Sequence, residues 1–148
     1  MLTKLGKGMI MSITNQDLRR AGLKVTLPRL KILELLEKSE MHHMSAEDIY
    51  KALIEQGEDV GLATVYRVLT QFEQAGIVER HNFENNLSVF EIAKDDHHDH
   101  LVCYQCGKII EFHNEEIENL QEKVAKEFGF TLAGHSMVLY GICDNIDC

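Results

Sequence analysis

Every cysteine in this 148-residue chain falls into one of two short spacings, Cys103-x-x-Cys106 and Cys143-x-x-x-x-Cys148. Each spacing lets two thiolates turn toward one tetrahedral ion, and Gly107, following Cys106, allows the sharp turn that such a knuckle needs. A fold that uses all four thiols must therefore carry the C-terminus back to the middle of the chain. Four thiolates close a tetrahedral site, so the site is structural and zinc is its default occupant. A redox reading of Cys-x-x-Cys is the alternative, but no βαβ pattern surrounds it and it leaves the second pair unexplained. The N-terminal MLTKLGKGMIMS has no apolar core of signal-peptide length, and SMVLYGIC is far short of the roughly 20 residues that span a bilayer. We read a cytoplasmic chain away from membranes, where thiols stay reduced and serve metals rather than disulfides.

Just before the first cysteine pair, residues 97–101 read HHDHL. In extended backbone, neighbouring side chains alternate sides, so His98 and His100 face one way and His97 and Asp99 the other. One tetrapeptide thus serves two sites. Glu91 and Glu111 are the natural carboxylate additions to the first, and Glu118 and His135 to the second. Imidazole mixed with carboxylate suits exchangeable Fe2+, Mn2+, Co2+ or Zn2+, for sensing or for catalysis. His42 and His43 lie far upstream; they are either solvated surface histidines or ligands that tie a second domain to the same ion. His81 and His113 are read as surface histidines.

The formal charge of −9 conceals an asymmetry. Residues 1–31 hold seven Lys or Arg against Asp17 alone, whereas residues 93–148 hold four Lys against eleven acids. A basic end and an acidic, cation-attracting end fit a chain that touches a polyanion with one and metal with the other, although two solvated faces would count the same way.

The first half carries helix signals. Thr14 or Asn15 caps a short helix stopped at Gly22; Thr26 precedes a helix with Pro28 in its first turn and Leu30, Leu33 and Leu36 along one stripe. Ser45 and Asp48 form a capping-box variant for a helix ending at Gly57, and Gly61 opens a helix whose face is Leu62, Val65, Val68, Leu69 and Phe72. The period then changes to two: IVERHN and LSVFEI alternate across FENN, with Asn85-Asn86 as turn residues. Helices followed by a hairpin give the order of a winged helix-turn-helix, or of a plain small α+β domain. AKDDHHDH is a polar hinge over residues 93–100. Beyond it, two short strands flank Gly107, a helix carries Ile117, Leu120, Val124 and Phe128, and FTLAGHSMVLYGIC is a strand region. A unit of about 50 residues needs staples, so a metal and a dimer interface are expected there.

KVTLPRLKIL, HHMSAEDIY, GLATVYRVL, RHNFE, HHDHLVCYQCGKIIEF and the closing cysteine pair together resemble the ferric uptake regulator family, from about Asp17 to Cys148. The resemblance implies an α+β protein: a winged helix-turn-helix DNA-binding domain over residues 1–92, then a small α/β metal-binding dimerisation domain over 93–148; residues 1–12 are read as a flexible extension that departs from the family. It implies a repressor that binds A/T-rich palindromic double-stranded DNA operators when loaded with Fe2+, as a homodimer or a tetramer. It implies neither catalysis nor a small organic substrate. Carried over, structural zinc falls on Cys103, Cys106, Cys143 and Cys148. The regulatory ion, Fe2+ with Mn2+, Co2+ or Zn2+ as substitutes, falls on His43, Glu91, His98, His100 and Glu111, and an additional site on His97, Asp99, Glu118 and His135. DNA contacts fall on Lys24, Tyr66 and Arg67, chemically suited to a narrow A·T minor groove, a thymine methyl and a phosphate or guanine edge respectively. The wing tip ENNLS departs from the family's glycine pair, and Met9 or Met11 is an alternative start. Glu91 and Glu111 replace the aspartates of the peroxide-sensing branch and so count against it. Zinc- and manganese-responsive branches are the alternative; a small metallohydrolase or a metal buffer are the readings from other classes.

Overall fold

The computed structural model describes residues 15–38, 43–84, 86–94 and 97–148. The chain divides into two compact units, residues 1–93 and 94–148. Thr14, Met9, Met11, the 1–12 extension, His42, Asn85 and part of the hinge lie outside the described residues.

The first unit contains helices α1 (Asn15–Arg20), α2 (Leu27–Lys38), α3 (Ala46–Glu55) and α4 (Leu62–Gln74), then strands β1 (Val78–Phe83) and β2 (Leu87–Ile92). Asn15 lies inside α1, so it is not the cap. Around α3 the Ser45 hydroxyl accepts from the Asp48 amide and the Asp48 carboxylate accepts from the Ser45 amide, both at 3.1 Å. Two amides that a helix start leaves unpaired are thereby satisfied. Ser45→Ala is expected to cost about 1 kcal/mol, or roughly 4–8 °C for a unit of this size, in a thermal melt that leaves metal content unchanged.

Apolar residues three and four apart place Leu33 and Leu36 of α2, Ile49 and Leu53 of α3, and Val65, Leu69 and Phe72 of α4 in one core, closed by Val78 and Phe90 of the hairpin. The hairpin is antiparallel, with Glu79 opposite Glu91 and His81 opposite Val89. Asn86 takes φ 58° at its tip, a conformation asparagine tolerates. A third strand segment is a single bridge: the Met44 amide donates to the Phe90 carbonyl at 3.1 Å and the Phe90 amide to the Met44 carbonyl at 2.8 Å. That bridge puts His43 directly across from Glu91.

The second unit contains β3 (Asp99–Cys103), β4 (Ile109–Phe112), α5 (Glu115–Glu127) and β5 (Val138–Gly141). The sheet order is β4-β3-β5, with β4 antiparallel and β5 parallel to β3. β3 is central, so Asp99 and His100 are strand residues and not hinge. Gly107 at φ 75° closes the knuckle, its amide donating to the Cys103 carbonyl at 3.0 Å. The α5 stripe behaves differently from a core stripe. Leu120, Val124 and Phe128 are 60%, 53% and 73% exposed, and Ala125 is the buried residue of the helix. Leu101, Ile110 and Leu139, aligned across the three strands, also face outward.

Candidate metal centres and nucleic-acid face

The cysteine set forms where three backbone segments meet. Cys103 ends β3, Cys106 closes the knuckle, and Cys143 follows β5, which the pairing of Cys103 with Gly141 holds alongside. A final turn, with the Cys148 amide donating to the Asn145 carbonyl at 3.0 Å, returns the last residue to the group. Cys103 Sγ lies 3.4 Å from Cys148 Sγ, and Cys106 Sγ 3.6 Å from Cys143 Sγ. Tetrahedral zinc with bonds of about 2.3 Å needs sulfurs about 3.8 Å apart, and a small outward adjustment provides it. Backbone amides of Cys106 and Cys143 hold the Cys103 thiol down to about 5, so it is a ready thiolate. Its neighbours Cys143 and Cys103 push Cys148 upward.

The alternation read in HHDHL fixes the second set. Asp99 Oδ1 lies 3.3 Å from His97 Nε2 and 3.2 Å from His135 Nε2. The two Nε2 atoms are 2.9 Å apart, and Glu118 Oε1 is 3.4 Å from that of His135. Edges of this length match an ion bound at about 2.0–2.1 Å to nitrogen and oxygen. Asp99 is 1% exposed, and Asp99 Oδ1 and Glu118 Oε1 face these imidazoles without the alignment of a hydrogen bond. Two lone-pair nitrogens and two carboxylates converging on one point are suited to a divalent cation. His113, expected to be a plain surface histidine, has Nε2 3.9 Å from Glu118 Oε1, at the rim of this set.

The residues expected to form the regulatory site are divided between the units, and each part is coherent by itself. In the second unit His100 pairs in register with Glu111, and His98 Nε2 lies 3.3 Å from Glu111 Oε2. Lys94 Nζ sits 3.2 Å from the same oxygen, where it supplies positive charge to the carboxylate. In the first unit His43 Nε2 lies 3.1 Å from Glu91 Oε2, with both residues buried. The expectation for His81 needs correction: its Nε2 is 2.7 Å from Glu91 Oε1. The signal was present in the hairpin, because a two-residue period across a short turn sets residues 81 and 91 on one face.

The three DNA candidates lie in the first unit. Tyr66 and Arg67 are on α4, the last helix before the hairpin. Tyr66 is 41% exposed and so is not a core residue. Its hydroxyl donates to the Glu47 carboxylate, which lowers the glutamate's pKa and raises that of the phenol. Lys24 is tied to α4 through a residue that sequence reasoning missed. Arg29 Nη1 donates to the Lys24 carbonyl at 2.7 Å, and Nη2 donates to Gln71 Oε1 at 2.9 Å. A guanidinium fork can hold two acceptors at once, so the Lys24 loop keeps its place beside the helix.

A winged helix-turn-helix followed by a small α/β unit that carries tetrahedral thiols and imidazole–carboxylate sets is the build of a metal-responsive DNA-binding regulator. The model of the ferric uptake regulator family matches residues 20–140. The ferric uptake regulation protein of Yersinia pestis is 60% identical over 138 residues, which are 93% of each chain. The crystal structure of the Vibrio cholerae ferric uptake regulator superposes with a TM-score of 0.82 at 58% identity, covering 87% of this chain and 98% of that one. The structure of the ferric uptake regulator from Francisella tularensis with iron does so at 0.78 and 42%, covering 83% and 93%. The chain belongs to the ferric uptake regulator family.

Proposed function

We propose that this chain is a metal-activated repressor in which one Fe2+ joins the winged-helix unit to the dimerisation unit, with zinc as the structural ion. What carries the reading is that each unit presents its own converging imidazole–carboxylate set, His43 with Glu91 in one and His98, His100 and Glu111 in the other. The relatives' iron-linked names favour Fe2+ over the zinc and manganese alternatives. When bound, the ion supplies a charge that both sets of lone pairs satisfy together. His43 and Glu91 then hold the winged-helix unit to the ligands of the second, and the two α4 helices of a dimer are set for the half-sites of a palindrome. Tyr66, Arg67 and Lys24 read and anchor the duplex. His97, Asp99, Glu118 and His135 hold the additional ion.

The dimer face of this reading is the outward apolar surface of the second unit, rich in side chains that water would leave costly. Replacing Val124 and Phe128 together by Asp removes four apolar side chains from a two-fold interface. At about 1.5–3 kcal/mol each, that raises the dimer dissociation constant roughly 10⁴-fold or more, seen as a monomer in sedimentation equilibrium. We place the protein in the cytoplasm as a homodimer, without a small organic substrate; a tetramer would pair two such dimers. No described helix is long and apolar enough to cross a membrane.

Anaerobic fluorescence anisotropy of the zinc-loaded dimer on an A/T-rich palindromic duplex tests the function. Affinity is expected to rise at least tenfold with Fe2+. Binding indifferent to metal overturns the switch; metal uptake with no duplex binding favours a buffer, and metal-dependent hydrolysis without duplex binding favours an enzyme.

A further inference from the structure

We propose that the winged-helix unit holds a metal-capture site of its own, His43, His81 and Glu91, which takes up a divalent ion before the ligands of the second unit add theirs. The inference rests on the regulatory site described under Proposed function and adds a ligand and an order of events to it.

Three backbone segments bring the three side chains together. In the β1–β2 register Glu91 is opposite Glu79 and therefore diagonal to His81, a separation that long side chains span. The Met44–Phe90 bridge sets His43 across from Glu91 from the other side. The carboxylate therefore lies between two imidazoles, Oε1 at 2.7 Å from His81 Nε2 and Oε2 at 3.1 Å from His43 Nε2, and the ring centroids are 6.0 Å apart. The His81 ring is not adrift: it stacks on Phe83, its same-face neighbour, at 6.0 Å with 6° between planes. Glu79 Oε2, at 3.8 Å, is the other carboxylate near His81 Nε2.

Two imidazoles and one carboxylate on a single face form the set that binds Fe2+ while leaving coordination positions open. Open positions are what a bridging site requires, because His98, His100 and Glu111 have to enter the same coordination sphere. His81 keeps 22% of its side chain exposed, against 3% and 2% for His43 and Glu91, and so forms the mouth of the set. Capture by the first unit makes the later closure an intramolecular step. That raises the effective concentration of ion seen by the second set of ligands.

The test uses the full-length, zinc-loaded chain in the variant H97A/H98A/H100A/E111Q/H135A, which removes the imidazoles of the two ligand sets of the second unit and Glu111 while sparing the cysteines. Anaerobic Co2+ titration, followed by its visible d–d absorption, is expected to show one ion per chain, weakened at least tenfold further by His81→Gln. Glutamine keeps a hydrogen bond to Glu91 but is a poor ligand, so unchanged Co2+ affinity on His81→Gln would reduce His81 to an orienting partner and overturn the proposal. A folded, zinc-replete background variant that binds no Co2+ overturns it equally. In the otherwise natural chain, His81→Gln alone is expected to lower Co2+ affinity at least tenfold, and no change there counts against the site. Failure of the bridging switch reads out separately, as metal-indifferent DNA binding by the natural chain.

Discussion

Cys103→Ser is expected to strip the structural zinc, unfold much of residues 94–148 and dissociate the dimer. Among its described residues that unit has one three-stranded sheet and one helix whose apolar stripe faces outward, so its own core is thin. Structural zinc contributes on the order of 10–16 kcal/mol of apparent binding free energy in small domains, as large as the roughly 5–15 kcal/mol by which whole proteins are stable. Cys103 is the sulfur to remove because it is buried, ends the central strand and accepts the Cys143 amide at 3.4 Å. Loading the four thiols displaces protons, so retention of zinc is also expected to fall as pH is lowered. Zinc quantitation with sedimentation velocity checks both points. A zinc-free dimer with an unchanged melting temperature would show that the thiols do not hold the unit together.

The second large effect is expected at the regulatory ligands. His43→Ala and Glu111→Ala should each abolish the metal-dependent gain in operator affinity, at least tenfold or about 1.4 kcal/mol, while the dimer and its zinc persist. Each substitution leaves one unit with its partial ligand set and takes a donor from the other, so the ion no longer favours one arrangement over the rest. Weak, salt-sensitive binding to duplex should survive, because the cationic side chains proposed to meet DNA, Arg67 and Lys24, are left in place. Linkage adds a second readout: if metal tightens DNA binding, DNA must tighten metal binding by the same factor, and both should vanish in these variants. Retained metal-dependent repression by both would defeat the bridging role.

The same pair of positions shows how far local sequence reaches. Ser45 and Asp48 announced the start of α3, glycines marked where helices stop, and the alternation in HHDHL separated His98 and His100 from His97 and Asp99. These signals act across two to four residues, through hydrogen bonds and strand geometry that the chain carries wherever it goes. Four thiols in two spacings likewise pointed to a single cluster before any strand was paired. Which elements meet was a different matter. His43 was ambiguous in the sequence because only the Met44–Phe90 bridge, forty-six residues apart, sets it against Glu91. His81 was taken for a surface residue because its partner depends on the length of the turn and the register that follows. Arg29 looked like one more cation of a basic helix until its guanidinium spanned Lys24 and Gln71. The α5 stripe had the periodicity of a buried helix, and periodicity records only that a face is apolar, not what covers it. Residue type and short-range spacing thus determined the helices, the hairpin and the ligand chemistry. Long-range pairing and burial, which depend on the whole chain's packing, decided which candidate ligands converge and which apolar face stays exposed.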